Sequence, residues 1–200
     1  MLQQALPLLL IIAAAIIIAV ISWNVHQARV AGWAEFASRH DMHADGLTVE
    51  GSYEGYPLRL ETQKRGSGKN RYTVTVLHLS THGTLPPDFS LEREGFGDKL
   101  LKLFGGGDAE IGDAEFDRLF DVKNLSPETT RLLRNKAVQQ HLYELVHNYR
   151  TFHIREGWIQ AEQRGVLSTA DALETFTGPA LMLVHSLDEA FRRSTEWTAG

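Results

Sequence analysis

The sequence predicts an α+β protein with a single N-terminal transmembrane helix, followed by an antiparallel sheet packed with two or three helices. Three observations favour this class. No charged side chain occurs before Arg29, alternating apolar and polar segments are joined by Glu-Gly turns, and two later segments repeat apolar residues at helical spacing. Strands joined by short hairpins form antiparallel sheets, and helices can then cover one sheet face.

The first element is an almost wholly apolar run over residues 5–23. A helix of about 19 residues covers nearly the ~30 Å hydrocarbon core of a bilayer. A retained anchor is favoured over a cleaved signal peptide, because no Lys or Arg precedes the run and a poor cleavage site follows it. A run of this length is also too long for a buried core helix in so small a domain.

The helix is expected to continue from the apolar run to about His40, so that residues 1–40 form the anchor and its extramembrane continuation. Val30 and Ala37 lie at helical spacing with two aromatic residues of this segment. Its last turns are predicted to pack on the domain or on a neighbour. Small residues allow close helix approach and Trp suits the membrane interface. The candidate membrane or partner contacts are therefore Ala13, Ala14, Ala15, Ala19, Trp23, Trp33 and Phe36.

Residues 41–193 are predicted to form the soluble domain, and residues 194–200 a loose tail. After a break at residues 41–46, the expected strands span residues 47–53, 56–61 and 71–79, with a fourth at 89–93. A helical turn is expected at 100–104, one helix at 127–149, and a second hairpin at 151–155 and 158–162. The last helix should begin at Ser168 with a capping box, and kink or divide at Gly178-Pro179.

An acidic stretch over residues 108–121 is the feature most suggestive of a binding site, since hard cations bind several oxygens. Its spacing does not fit an EF-hand loop. The favoured interpretation is structural: a tight turn with a carboxylate accepting backbone N–H groups, followed by aromatic residues that plug the core. The residues concerned are Gly112, Asp113, Phe116, Asp117 and Phe120.

Other chemistry is disfavoured by composition and spacing. The net charge of −5 argues against nucleic acid, and against a domain that lies flat on anionic lipid. The pairs His40/His43 and His78/His82 have no evident third ligand, and residues 66–70 do not fit a phosphate-binding loop. Cysteine is absent and no GxSxG sequence occurs. We therefore predict no catalytic residue, no metal and no cofactor.

The order of the parts resembles a loose group of bacterial membrane-anchored proteins of unknown function. The resemblance lies in W-x-x-F-A at residues 33–37, V-x-G-x-x-x-G at 49–55, and G-D-x-x-F-D-x-x-F-x-V at 112–122. It implies a bacterial source and this fold, and assigns no catalytic residue. With Arg29 and Arg39 following the apolar run and no cation preceding it, the positive-inside rule predicts a cytoplasmic domain on the inner membrane.

The expected function is that of a non-enzymatic accessory or scaffold subunit that stabilises a larger membrane complex, with photosynthetic and respiratory complexes as candidate hosts. Its expected partners are the lipid bilayer and other membrane subunits. The alternative is a membrane-anchored ligand- or metal-binding domain that uses residues 108–117 and nearby histidines. A stand-alone membrane sensor is the third interpretation.

Overall fold

The computed structural model describes the backbone of residues 2–93 and 111–198, and the side chains of residues 10, 12–93 and 111–193. It confirms the α+β class: a long N-terminal apolar helix is followed by an eight-stranded antiparallel sheet and several helices. The helices are α1 (Leu2–Arg39), α2 (Ala114–Leu119), α3 (Pro127–Leu133), α4 (Lys136–Asn148) and α5 (Ala170–Thr198).

The eight strands form one sheet in the order β1-β2-β3-β4-β8-β7-β5-β6. Every neighbouring pair is antiparallel. A short 3₁₀ turn at Gly68–Asn70 joins the third strand to the fourth. The strands are β1 (His43–Asp45), β2 (Thr48–Tyr53), β3 (Tyr56–Arg65), β4 (Tyr72–Ser80), β5 (Ser90–Arg93), β6 (Phe120–Lys123), β7 (Thr151–Arg155) and β8 (Trp158–Arg164).

One face of the sheet forms the core, because apolar side chains alternate along the central strands and align across them. Leu60 pairs with Leu77, which pairs with Ala161, and all three are fully buried. Most alternate residues of the same strands are polar and form the outer face, as expected for an antiparallel sheet covered on one side. Val74 and Val76 of β4 are exceptions, since both are apolar and buried. Helices α1, α4 and α5 lie on the inner side.

The C-terminal turns of α1 belong to the domain core. Trp33 is fully buried, and its indole Nε1–H donates a hydrogen bond to the Leu167 carbonyl at 2.8 Å. Gly32 permits this approach, since a Cβ there would lie only 2.9 Å from Thr169 Cα and closer still to the Ser168 carbonyl oxygen. An ion pair of 2.7 Å between Arg39 and Asp171 adds a contact at the other end of this interface.

Helix α5 contains Pro179 and is nevertheless continuous, so the predicted division does not occur. Proline has no N–H, and its ring pushes away the preceding turn of a helix. The buried Tyr149 hydroxyl fills the disturbed turn: it donates to the Phe176 carbonyl at 2.6 Å and accepts from the Ala180 N–H at 3.2 Å. A side chain from outside the helix thus satisfies backbone groups that face each other across one turn.

Several boundaries differ from the sequence prediction. Residues 127–149 form two helices, because Asn135 adopts an extended conformation and its side chain accepts the Ala137 N–H. Thr169, rather than Ser168, caps α5 by accepting the Ala172 N–H. Helix α5 continues to Thr198, so most of the predicted tail is helical. The short strands β1 and β6 were not predicted, and the helical turn at 100–104 lies outside the described residues.

Candidate functional site

The exposed part of α1 is the first candidate site. Residues 12–28 are all exposed, among them the four alanines proposed as partner contacts, and Trp23 is 64% exposed. By length and composition the helix can cross a membrane, and nothing in its most apolar window is buried in the domain. A surface this apolar on a water-soluble protein would be unusual, since large apolar patches mark contacts with lipid or protein.

For two residues, the predicted contact with the membrane or a partner is wrong. Trp33 and Phe36 are both fully buried, and the Phe36 ring lies 5.7 Å from the ring of Tyr53. Helical spacing identified the apolar face correctly, but a helix face of this kind can pack on lipid, on a partner or on its own domain. Here it packs on its own domain, so the free apolar surface ends before Arg29.

The acidic turn is the second candidate, and both of its central carboxylates contact backbone N–H groups. Asp113 caps α2, accepting from Glu115 at 3.1 Å and Phe116 at 3.3 Å. Asp117 accepts from the N–H groups of Ile111 at 2.9 Å and Gly112 at 3.1 Å. Gly112 has a φ of +81°, a conformation that glycine adopts readily. These are the contacts of a structural turn.

The aromatic residues of this turn fill the core. The rings of Phe116 and Phe120 lie 4.5 Å apart, and at most 2% of either residue is exposed. Arg134, at the end of α3, donates from Nε to the Ile111 carbonyl at 2.7 Å and so fastens the turn to the helical layer. Within residues 12–93 and 111–193, no group of three His, Asp or Glu side chains could hold a metal ion.

A shallow cavity of about 370 Å³ adjoins the acidic turn, between α2 and α4. Asp113, Lys136, Tyr143 and His147 are among its lining residues. The Lys136 Nζ lies 3.5 Å from an Asp113 carboxylate oxygen. The Phe116 N–H, the Glu115 N–H and the Lys136 ammonium together hold the pKa of Asp113 below its usual value. Such a carboxylate is a weak base, which makes Asp113 a poor proton acceptor.

The outer face of the sheet is a third candidate, which sequence reasoning did not identify. Polar side chains form one row across all eight strands. Burial lowers the pKa of His78 and of His153, which favours neutral rings able both to donate and to accept hydrogen bonds. Part of the row lines a second cavity, of about 280 Å³. In strand order the row is His43, Glu50, Arg59, His78, Gln160, His153, Glu92 and Asp121.

Polar alternation within each strand was visible in the sequence, but the alignment of the row was not. It depends on the pairing of β4 with β8 and of β5 with β7, which joins distant parts of the chain.

Comparison with known proteins identifies no relative: no family model, no curated protein and no solved structure matches this chain. The resemblance to bacterial membrane-anchored proteins therefore stays a prediction.

We expect the Asp113 carboxylate to make stability depend on pH. Its folded pKa lies below the usual 3.8, so the charged form stabilises the fold above that pH. This contribution is lost as the pH falls through the folded pKa. Asp113→Asn keeps a capping oxygen but does not titrate. The stability difference between wild type and variant should therefore shrink as the pH falls below about 4, measured from urea midpoints.

Glu115→Gln is the matched control, because it removes one charge from an exposed side chain of the same turn. Its difference from wild type should change less over the same pH range. A wild-type to Asp113→Asn difference that stays constant with pH would show that the charge of Asp113 does not stabilise the folded state.

Proposed function

We propose that this chain is a single-pass membrane protein whose domain acts as a non-enzymatic accessory or scaffold subunit of a larger membrane complex. One observation supports the proposal above the others: α1 runs without a break from a fully exposed apolar segment into the domain core at Trp33. Because no flexible linker separates the apolar segment from the domain, the continuous helix holds the domain at a fixed distance and angle from the bilayer.

The domain itself supports a binding role more than a catalytic one. The Asp113 and Asp117 carboxylates of its acidic turn are engaged by backbone N–H groups, and two of its cavities are shallow openings lined by polar residues. A general acid or base must instead reach a substrate from a site that tunes its pKa toward neutrality. The charge bias around α1 supports the cytoplasmic side, and the resemblance supports a bacterial inner membrane. The proposal includes a photosynthetic or respiratory host only as the kind of complex in which such subunits occur.

Helix packing within the bilayer provides a partner contact that can be tested. Ala15 and Ala19 lie four residues apart, on one exposed helix face, where small side chains let a second helix approach closely. We expect Ala15→Leu with Ala19→Leu to weaken association with the complex at least tenfold. The matched control is Ile17→Leu with Ile21→Leu, which has the same spacing and changes side-chain shape while preserving apolar character.

The measurement is mild detergent extraction of native membranes, followed by sizing and identification of co-migrating subunits. Stoichiometric co-migration that the alanine variants lose and the isoleucine variants keep would support the proposal. A lone monomer or homo-oligomer for the wild type would contradict it. That result would favour the alternative, a membrane-anchored ligand-binding domain, for which the cavities beside Asp113 and His78 are the places to look.

A further inference from the structure

The β3–β4 hairpin ends in a concentration of positive charge, which we call the basic tip and define as residues 64–72. Lys64, Lys69 and Arg71 are exposed, and Arg164 at the end of β8 lies with its guanidinium carbon 4.9 Å from the centre of the Tyr72 ring. Among the described residues, none of these four cations forms an ion pair. Arg65 is different, since Glu162 neutralises it.

A short series of hydrogen bonds connects the base of this tip to the point where α1 leaves the domain. The Trp33 indole contacts the Leu167 carbonyl, and the Leu167 N–H donates to the Thr75 hydroxyl at 3.2 Å. Two residues nearer the tip, the Thr73 carbonyl accepts from the Gly165 N–H at 2.9 Å. The tip and the exit of α1 therefore lie at the same end of the domain.

The direction of α1 brings its apolar segment past the tip. Trp33 lies at the level of Thr75, whereas the His40 ring packs 4.6 Å from Tyr53, toward the other end of the sheet. Going toward its N-terminus, α1 thus runs the same way as β4 does from Thr75 to Tyr72. The three steps from Thr75 to Tyr72 cover about 10 Å along a strand, which is the rise of about six or seven helical residues.

That distance places Tyr72 near the level of His26, close to the end of the apolar run at Trp23. The 3₁₀ turn at Gly68–Asn70 lies beyond Tyr72, nearer still to the level of Trp23. At the opposite end of the sheet, the β2–β3 and β7–β8 turns carry Glu54 and Glu156 instead. The β3–β4 turn at the membrane end is therefore basic, whereas each of these two turns at the far end carries a glutamate.

We infer that the basic tip docks on the anionic headgroups of the bilayer that α1 spans. The inference rests on the membrane anchoring proposed above and adds the lipid chemistry that the domain recognises. The net charge of −5 does not oppose it, because charges are screened over about 8–10 Å and the headgroups face the tip, not the whole domain. Docking gives the domain a second attachment beside α1 and sets its rotation about that helix.

The chain contains no cysteine, so a single reporter can be placed at will. Ser67→Cys places an environment-sensitive fluorophore on the tip, and Glu156→Cys places the same fluorophore at the far end. The full chain is reconstituted into vesicles of phosphatidylcholine, with or without phosphatidylglycerol. We expect the label at position 67 to shift to the blue only when phosphatidylglycerol is present, and high salt to reverse the shift. The label at 156 should respond to neither.

Lys64→Gln, Lys69→Gln and Arg71→Gln are then combined in the reporter chain. Each cation near an anionic surface is expected to raise the ratio of docked to undocked protein about fivefold. Removing all three should therefore lower this ratio about a hundredfold. The matched control, Lys123→Gln with Arg192→Gln and Arg193→Gln, removes the same charge far from the tip and should keep the shift. Thermal unfolding of both variants confirms that these exposed substitutions leave the domain folded.

The outcomes separate this inference from the anchoring on which it rests. Protein that fails to float with either vesicle would overturn both. Protein that floats, but whose label at position 67 responds equally to neutral and anionic vesicles, would overturn the docking and leave the anchor intact. A shift produced by duplex DNA and not by anionic vesicles would also overturn it, by assigning the tip to nucleic acid.

Discussion

Trp33→Ala is expected to lower the free energy of unfolding of the domain by about 3–5 kcal/mol, the range seen for large aromatic side chains removed from a core. The indole is fully buried at the point where α1 joins the sheet and α5. Its loss also leaves the Leu167 carbonyl without the hydrogen bond it accepts from Nε1. The measurement is urea unfolding of the detergent-solubilised protein, followed by far-ultraviolet circular dichroism.

Trp23→Ala is the matched control, because the same side chain is removed from the same helix where it is 64% exposed. The unfolding free energy of the domain should then stay within about 0.5 kcal/mol of wild type. Equal effects of the two substitutions would contradict a division of α1 into a free segment and a core segment. Trp33→Ala should also increase the accessibility of the segment around Leu167 to protease, since the indole bonds to the Leu167 carbonyl.

Tyr149→Phe is expected to cost about 2 kcal/mol, although it removes one oxygen atom. The hydroxyl bridges the Phe176 carbonyl and the Ala180 N–H, both on buried residues of α5. Leaving buried polar groups unpaired costs about 1–3 kcal/mol each, and closure of the helical turn can recover part of this. Burial raises the pKa of Tyr149, so the hydroxyl stays protonated and able to donate. The same urea titration measures the effect.

A double-mutant cycle tests the physical reason. Pro179→Ala restores the missing N–H and removes the ring that distorts the turn, so Ala180 can bond directly to Phe176. In that background Tyr149→Phe should cost less than about 1 kcal/mol. Tyr143→Phe, which removes a hydroxyl from a half-buried ring on α4, is the control and should be close to neutral. Independent, additive effects of Tyr149 and Pro179 would contradict the bridge.

The hairpins were predictable because their signals are local. The β2–β3 and β7–β8 hairpins both turn at Glu-Gly pairs, where the glutamates as well as the glycines have positive φ values. Strand alternation on either side then determines which residues share a face. The same argument explains the errors, since β1 has three residues, too few for a period to be recognised, and β6 follows α2 with no turn between them.

The acidic turn was predicted in kind but not in detail. Its composition indicated a turn followed by core aromatic residues, and the contacts of Asp113 and Phe116 agree with this. That Asp117 accepts two further N–H groups, and that Arg134 reaches the Ile111 carbonyl, depends on how α2 and α3 pack. Contacts of this kind join groups whose separation in the sequence follows no helical or strand period, so the sequence pattern does not reveal them.

Local chemistry in the chain was enough to specify one long apolar helix, the Glu-Gly hairpins and an antiparallel sheet with one apolar face, because periodicity and turn residues act over a few positions. Tertiary packing decided the rest. It directed Trp33 inward and left Trp23 outside, and it paired β4 with β8, whose partners lie about 80 to 90 residues apart in the sequence. By that pairing it brought Arg164 beside the basic tip near the exit of α1. A periodic pattern shows which side chains share a face, but it does not show what that face packs against. Long-range contacts determine whether each side chain packs on the domain or stays exposed.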